Sequence, residues 1–169
     1  MFSTKHRDPA KEKKAFITRI SKVNLPEKNG ASVVINNDIT PLHIINKIKA
    51  NEIIKEIIVS TYFINKDVIS YLQKICPSFE LIAANNLLLA NRSRGEWIEQ
   101  NTDLTLTDIH AKIGLVKTDK NNYVISGSGN YASLYRPRLE WLTIINNDEI
   151  FEKTKNHYKK LKNGSTKRK

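Results

Sequence analysis

His110, Lys112, Gly127, Ser128, Gly129, Asn130 and Glu140 are the residues of this chain whose types and order suit chemistry. An imidazole, an ammonium, a hydroxyl, a carboxamide and the backbone amides of a glycine-rich turn together offer donors and positive charge to a phosphoryl oxygen. A histidine is also a nucleophile once a carboxylate fixes its other ring nitrogen, and Glu140 is the carboxylate suited to that task. Such a set fits a phosphodiester and calls for no metal or cofactor. Taken singly, each residue has an ordinary role. His110 reads as a structural histidine, Lys112 as a surface lysine, Ser128 as a turn residue, and Glu140 as the partner of Arg136 or Arg138 in a cross-strand ion pair. The ordered combination is what points to catalysis.

The elements that must hold these residues are strands. Ile113, Leu115 and Val116 form an apolar run, Lys120-Asn121-Asn122 carries turn chemistry, and Tyr123-Val124-Ile125 is aromatic and β-branched. A hairpin or a pair of adjacent strands follows, with the polar residues at the strand ends. His110 and Lys112 are two apart and share a face on an extended chain. The glycines of 127–130 let backbone N–H groups approach a ligand.

In this order, His110-x-Lys112, Gly127-Ser128-x-Asn130 and Glu140 resemble the signature of the phospholipase D superfamily, in particular its short members with one copy per chain. The resemblance implies that the motif histidine attacks phosphorus to give a phosphohistidine. A second motif histidine then protonates the leaving oxygen and activates water. His157-Tyr158-Lys159 lacks the strand and the Asn that would make it a second copy, so the resemblance implies a homodimer with a shared site, and two-fold dimers are the commonest closed assembly. The family's usual Asp, five residues after the motif Lys, is Lys117 here, with Asp119 two further on.

The charge distribution points the same way. Net charge is +11, yet residues 1–24 hold seven Lys/Arg against two acids and residues 151–169 hold eight against one, while 25–150 hold thirteen against fourteen. The sequence divides into a basic arm (1–24), a phospholipase D-like catalytic domain (25–150) and a basic C-terminal helix or tail (151–169). Cationic ends on a near-neutral body suit a polyanion, most simply DNA or RNA. Arg92, Arg94 and Tyr131 are further nucleic-acid contacts to consider, Tyr131 by stacking on a base. One cysteine, Cys76, excludes an internal disulfide. The chain shows no signal-peptide pattern and no long apolar span, so a cytoplasmic protein without membrane attachment is expected.

Strand and helix patterns alternate from 31 to 84, with helices expected over about 40–50 and 65–75 and strands over about 31–36, 56–63 and 79–84. Further strands are expected over about 102–109 and 139–145, a helical turn at 131–134 and a final helix over about 149–161. The fold class is therefore α/β, a mixed central sheet flanked by helices. The resemblance, with the basic ends, thus implies a metal-independent nuclease. The alternatives are a non-catalytic nucleic-acid binder on the same scaffold and, less favoured for want of an apolar patch or anchor, a lipid hydrolase.

Overall fold

Alternation of apolar residues builds a sheet whose two faces are both covered for most of its width. In the computed structural model, which describes residues 9–36, 39–87, 92–129, 131 and 140–164, seven strands form one sheet. They are β1 (Gly30–Asn36), β2 (Ile54–Thr61), β3 (Phe79–Ala84), β4 (Asp103–Thr107), β5 (Ile113–Thr118), β6 (Asn122–Gly127) and β7 (Glu140–Asn146). The helices are α1 (Pro9–Ser21), α2 (Pro41–Asn51), α3 (Lys66–Ile75), α4 (Arg92–Asn101) and α5 (Asp148–Gly164). The class expected from sequence, a mixed sheet with helical cover, is the one observed.

Period-two alternation divides the strands cleanly. Ile57, Val59, Leu81, Ala83, Val116, Tyr123 and Ile125 face one core with residues of α2, α3 and α4. Ile58, Ile82, Leu115 and Val124 face a second core closed by Phe151 and Tyr158 of α5. The C-terminal helix therefore packs onto the sheet. Three of its lysines are committed to ion pairs, Lys153 with Glu149, Lys155 with Glu56, and Lys162 with Glu80 and Asp103.

Strand order is β1-β7-β6-β5-β2-β3-β4. Helices α3 and α4 connect β2 to β3 and β3 to β4, and a helical crossover returns each strand parallel to the last. The other neighbours are antiparallel, and β5 and β6 form the expected hairpin. Alternating direction has a topological consequence. The C-terminal ends of β2, β3, β4 and β6 and the N-terminal ends of β5 and β7 all lie along one edge of the sheet.

The opposite edge is tied by hydrogen bonds. The Glu52 carboxylate accepts from Thr118 Oγ1, from Asn121 Nδ2 at 2.9 Å and from the Tyr123 hydroxyl at 2.6 Å. Asp119 Oδ1 accepts the Ile53 N–H at 2.9 Å, and Asp119 N–H donates to Ile53 O at 3.0 Å. At the start of α2, Thr40 is the N-cap and Pro41 the first residue, and His43 Nδ1 accepts the Thr40 N–H at 3.0 Å. His43 is buried, so it is a structural histidine. No helix of the described residues is long and apolar enough to cross a membrane.

Candidate active site

The edge bearing the C-terminal ends of β2–β4 collects the motif segments. His110 is exposed and lies in the short link between β4 and β5, with Lys112 immediately before β5. Antiparallel pairing of β5 with β6 carries the Gly127 N–H to the Lys112 carbonyl at 3.3 Å, so the His-x-Lys and Gly-Ser segments are neighbours despite a separation of fifteen residues in sequence. Ser128 in turn bonds to β7. Its N–H donates to Trp141 O at 3.1 Å, and its Oγ accepts the Trp141 N–H at 3.2 Å. Glu140, adjacent to Trp141, opens β7 opposite Asn36.

Two contacts fix the backbone around His110. Ser60, fully buried on β2, donates from its hydroxyl to the carbonyl of Ala111, between the two motif residues, at 3.2 Å. Lys112 Nζ donates to the His110 carbonyl at 3.3 Å. The glycine at 127 is demanded by packing rather than by a turn. A Cβ there would stand 2.1 Å from Trp141 O and 2.8 Å from Leu142 Cδ2, so only glycine lets β6 and β7 approach this closely.

Several expected residues fall differently. Asn130 lies outside the described residues, as do the side chains of Glu140, Arg92 and Arg94; the two arginines stand in the first turn of α4. Gly129 is buried beside the Ser128 turn. Tyr131 does not reach the surface. It pairs with Ile64 in an isolated parallel bridge, its ring is buried, and its hydroxyl sits 2.2 Å from where a Cβ on Gly114 would be. Burial pushes the Tyr131 phenol far up, and a ring so enclosed cannot stack on a base, which corrects the contact role expected for it. His157 lies within the helix α5 and not at the end of a strand.

Lys117 stands at the far end of β5, exposed and opposite Glu56. Five residues of strand, roughly 17 Å, separate it from Lys112. The carboxylates that hold this end of β5 are Glu52 and Asp119. An Asp at 117 is therefore not needed to fasten the strand.

A residue the sequence reading missed stands beside His110. Tyr62, just past β2, places its ring centroid 5.2 Å from that of His110, tilted by 50°. Its hydroxyl accepts a hydrogen bond from Asn86 Nδ2 in the turn after β3. In sequence Tyr62 falls inside the strand expected over 56–63 and reads as one of its core residues, whereas β2 ends at Thr61.

No family model and no curated protein matches the chain. Solved structures do. NucT from Helicobacter pylori superposes with a TM-score of 0.56 at 12% identity, over 81% of this chain and 98% of its own. Nuc from Salmonella typhimurium, a phospholipase D family member, gives 0.56 at 16% identity, over 81% and 97%. The chain has a phospholipase D-like fold. Phosphatidylserine synthase of Haemophilus influenzae Rd KW20 shares it at a TM-score of 0.51 and 12% identity, over 92% of this chain and 46% of the synthase. TrmBL2, an archaeal chromatin protein whose structure shows a mode of DNA binding, gives 0.52 at 15% identity, over 94% and 61%.

Proposed function

We propose that this phospholipase D-like protein is a metal-independent phosphodiesterase acting on DNA or RNA, with a site completed by two copies of the chain. The observation that carries the reading is the convergence of His110-x-Lys112, Gly127-Ser128 and the start of β7 at one sheet edge. In the reaction, a ring nitrogen of His110 attacks phosphorus while the P–O bond to the leaving strand breaks, and the partner's His110 gives its proton to the departing oxygen. That imidazole, now neutral, takes a proton from water. The resulting hydroxide attacks the phosphohistidine, breaking the P–N bond and releasing the phosphate product. Lys112 and Asn130 clamp the non-bridging oxygens, the 127–129 turn supports them, and Glu140 orients His110.

The second copy has a suitable surface. Val33 and Ile35 on the edge strand β1 are 63% and 68% exposed, and Trp141 across from Ile35 is 50% exposed. These three lie on the sheet face that α5 covers elsewhere, and Trp141 is joined through its backbone to Ser128. An apolar face continuous with a site that needs a second histidine is the natural seam of a two-fold dimer. The basic arm and tail, residues 1–24 and 151–169, supply the sequence-independent attraction to phosphates, less the charge of Lys153, Lys155 and Lys162, which is set against carboxylates.

Cleavage of labelled DNA and RNA in excess chelator by the wild-type chain, and none by His110→Ala, is the expected result. Nucleic-acid binding of equal strength by both proteins without cleavage would replace this reading with that of a binding protein on the same scaffold.

A further inference from the structure

Three loops follow the three parallel strands, and each contributes one polar ring or amide to the same place. Tyr62 follows β2, Asn86 follows β3 and His110 follows β4. The crevice outside the carboxyl ends of parallel strands is where α/β sheets hold ligands. We infer that Tyr62, held by Asn86, is a stacking platform for one unpaired nucleobase next to the phosphate attacked by His110, so that the substrate is single-stranded. The inference rests on the hydrolase reading for its phosphate but not for its base.

Packing leaves a large part of the Tyr62 ring open. It is 39% exposed, whereas Thr61 and Ile64 on either side of its turn are fully buried. The turn itself is fastened. Thr61 Oγ1 donates to Phe63 O at 3.0 Å and accepts the Phe63 N–H at 3.4 Å, and Ile64 is bridged to Tyr131. A rigid, half-open aromatic ring loses little entropy when a base settles on it. The Asn86 amide at its hydroxyl steadies the ring from the next strand, and exposed Asn85 and Asn86 offer carboxamides to a base edge.

The chemistry selects the ligand class. A phosphate beside an aromatic face and carboxamides describes a nucleotide better than a lipid headgroup, which has no ring to stack. In a duplex the base faces are hidden within the stack, so a base that meets Tyr62 must be unpaired.

The test compares an oligonucleotide carrying a base at the nucleotide flanking the cut with one that is abasic there, in deoxy and ribo form, in chelator. The quantity read is the ratio of kcat/KM for the base-bearing strand over the abasic strand. In Tyr62→Ala this ratio should fall toward one, a loss of roughly 5- to 150-fold, the span that stacking of one base covers. Tyr62→Phe should keep most of the ratio and Asn86→Ala an intermediate part of it. Matching thermal melts establish that the variants fold. In parallel, a 2-aminopurine strand should be quenched on binding to wild type and to His110→Ala, and not by the double variant with Tyr62→Ala. Cleavage with an unchanged ratio in Tyr62→Ala, or a preference for duplex, would overturn the platform while leaving the hydrolase. Quenching that depends on Tyr62 without any cleavage would do the reverse.

Discussion

Removing one oxygen from Tyr131 should stabilise this protein, and should also make room for a substitution that is otherwise harmful. The Tyr131 hydroxyl is buried without a hydrogen-bond partner among the described residues, and it occupies the space over Gly114. Tyr131→Phe removes an unsatisfied buried group, for which the gain is about 1–3 kcal/mol. Gly114→Ala places a Cβ 2.2 Å from that oxygen, and the forced shift of a well-packed ring costs about 1–3 kcal/mol. In the double variant the nearest Tyr131 atom left is ring carbon Cζ at 3.4 Å, an ordinary contact. The two changes should therefore be coupled, the pair being more stable than the sum of the singles by about 1–3 kcal/mol. Urea denaturation of all four proteins measures this. In a chain of this length each kcal/mol also moves Tm by roughly 2–4 °C. Since Gly114 follows Lys112 by two residues, Gly114→Ala should lower phosphodiesterase activity and Tyr131→Phe should restore it. Additive effects, or a Tyr131→Phe variant less stable than wild type, would refute the placement of this hydroxyl.

For the proposed dimer, Trp141→Lys should shift sedimentation velocity profiles toward monomer and lower activity in step, since the Ser128 bonds use only the Trp141 backbone and survive the change. Glu52→Ala leaves the Asn121 amide and the Tyr123 hydroxyl without this acceptor, while Thr118 keeps the Asn121 carbonyl, and should cost about 2–3 kcal/mol in a urea melt, the worth of a bond to a charged group, without changing the preference for base-bearing substrate. The Lys28 and Asn122 bonds to Asp148 hold its carboxyl below the usual value of 3.8. Its contribution is thus present above that value and lost as pH falls through the lower folded value, so Asp148→Asn should be less stable than wild type at neutral pH and equal to it in strong acid. Burial raises Tyr158 to about 12 from 10.0. Its contribution is complete below pH 10.0 and lost as pH rises toward about 12, and Tyr158→Phe should flatten that alkaline loss in a pH series of melts.

Much of the fold could be read from the alternation of apolar residues, because a strand buried on both faces and a helix buried on one leave different periods. The pairs Ile57/Ile58 and Leu81/Ile82 feed opposite cores, which is why those strands read as continuous apolar runs. Helix α5 was harder. Among its described residues only Phe151 and Tyr158 are buried, so its stripe is thin, and the lysines that suggest a free polyanion-binding tail include Lys155 and Lys162, which pair with Glu56, Glu80 and Asp103 across three strands. Strand order was invisible, since nothing local places β1 beside β7 rather than beside β2.

At the site, His110-x-Lys112 and Gly127-Ser128 stand out in sequence because their types are unusual together, and β5–β6 pairing makes the two segments neighbours. Tyr62 was not, because an aromatic residue at the end of an apolar run carries no local sign that the strand stops at Thr61 and turns its next ring toward His110. Tyr131 was misjudged for the converse reason. A tyrosine just after a phosphate loop looks available, and only the bridge to Ile64 and the absent side chain of Gly114 show that the ring turns inward.

In the proposed reaction His110 itself becomes phosphorylated. Rapid acid-free quenching of wild-type protein with a labelled phosphodiester in chelator, followed by peptide mass spectrometry, should find an acid-labile phosphoryl adduct on His110 and none in His110→Ala. Turnover without such an adduct, or an adduct that persists when His110 is gone, would contradict it.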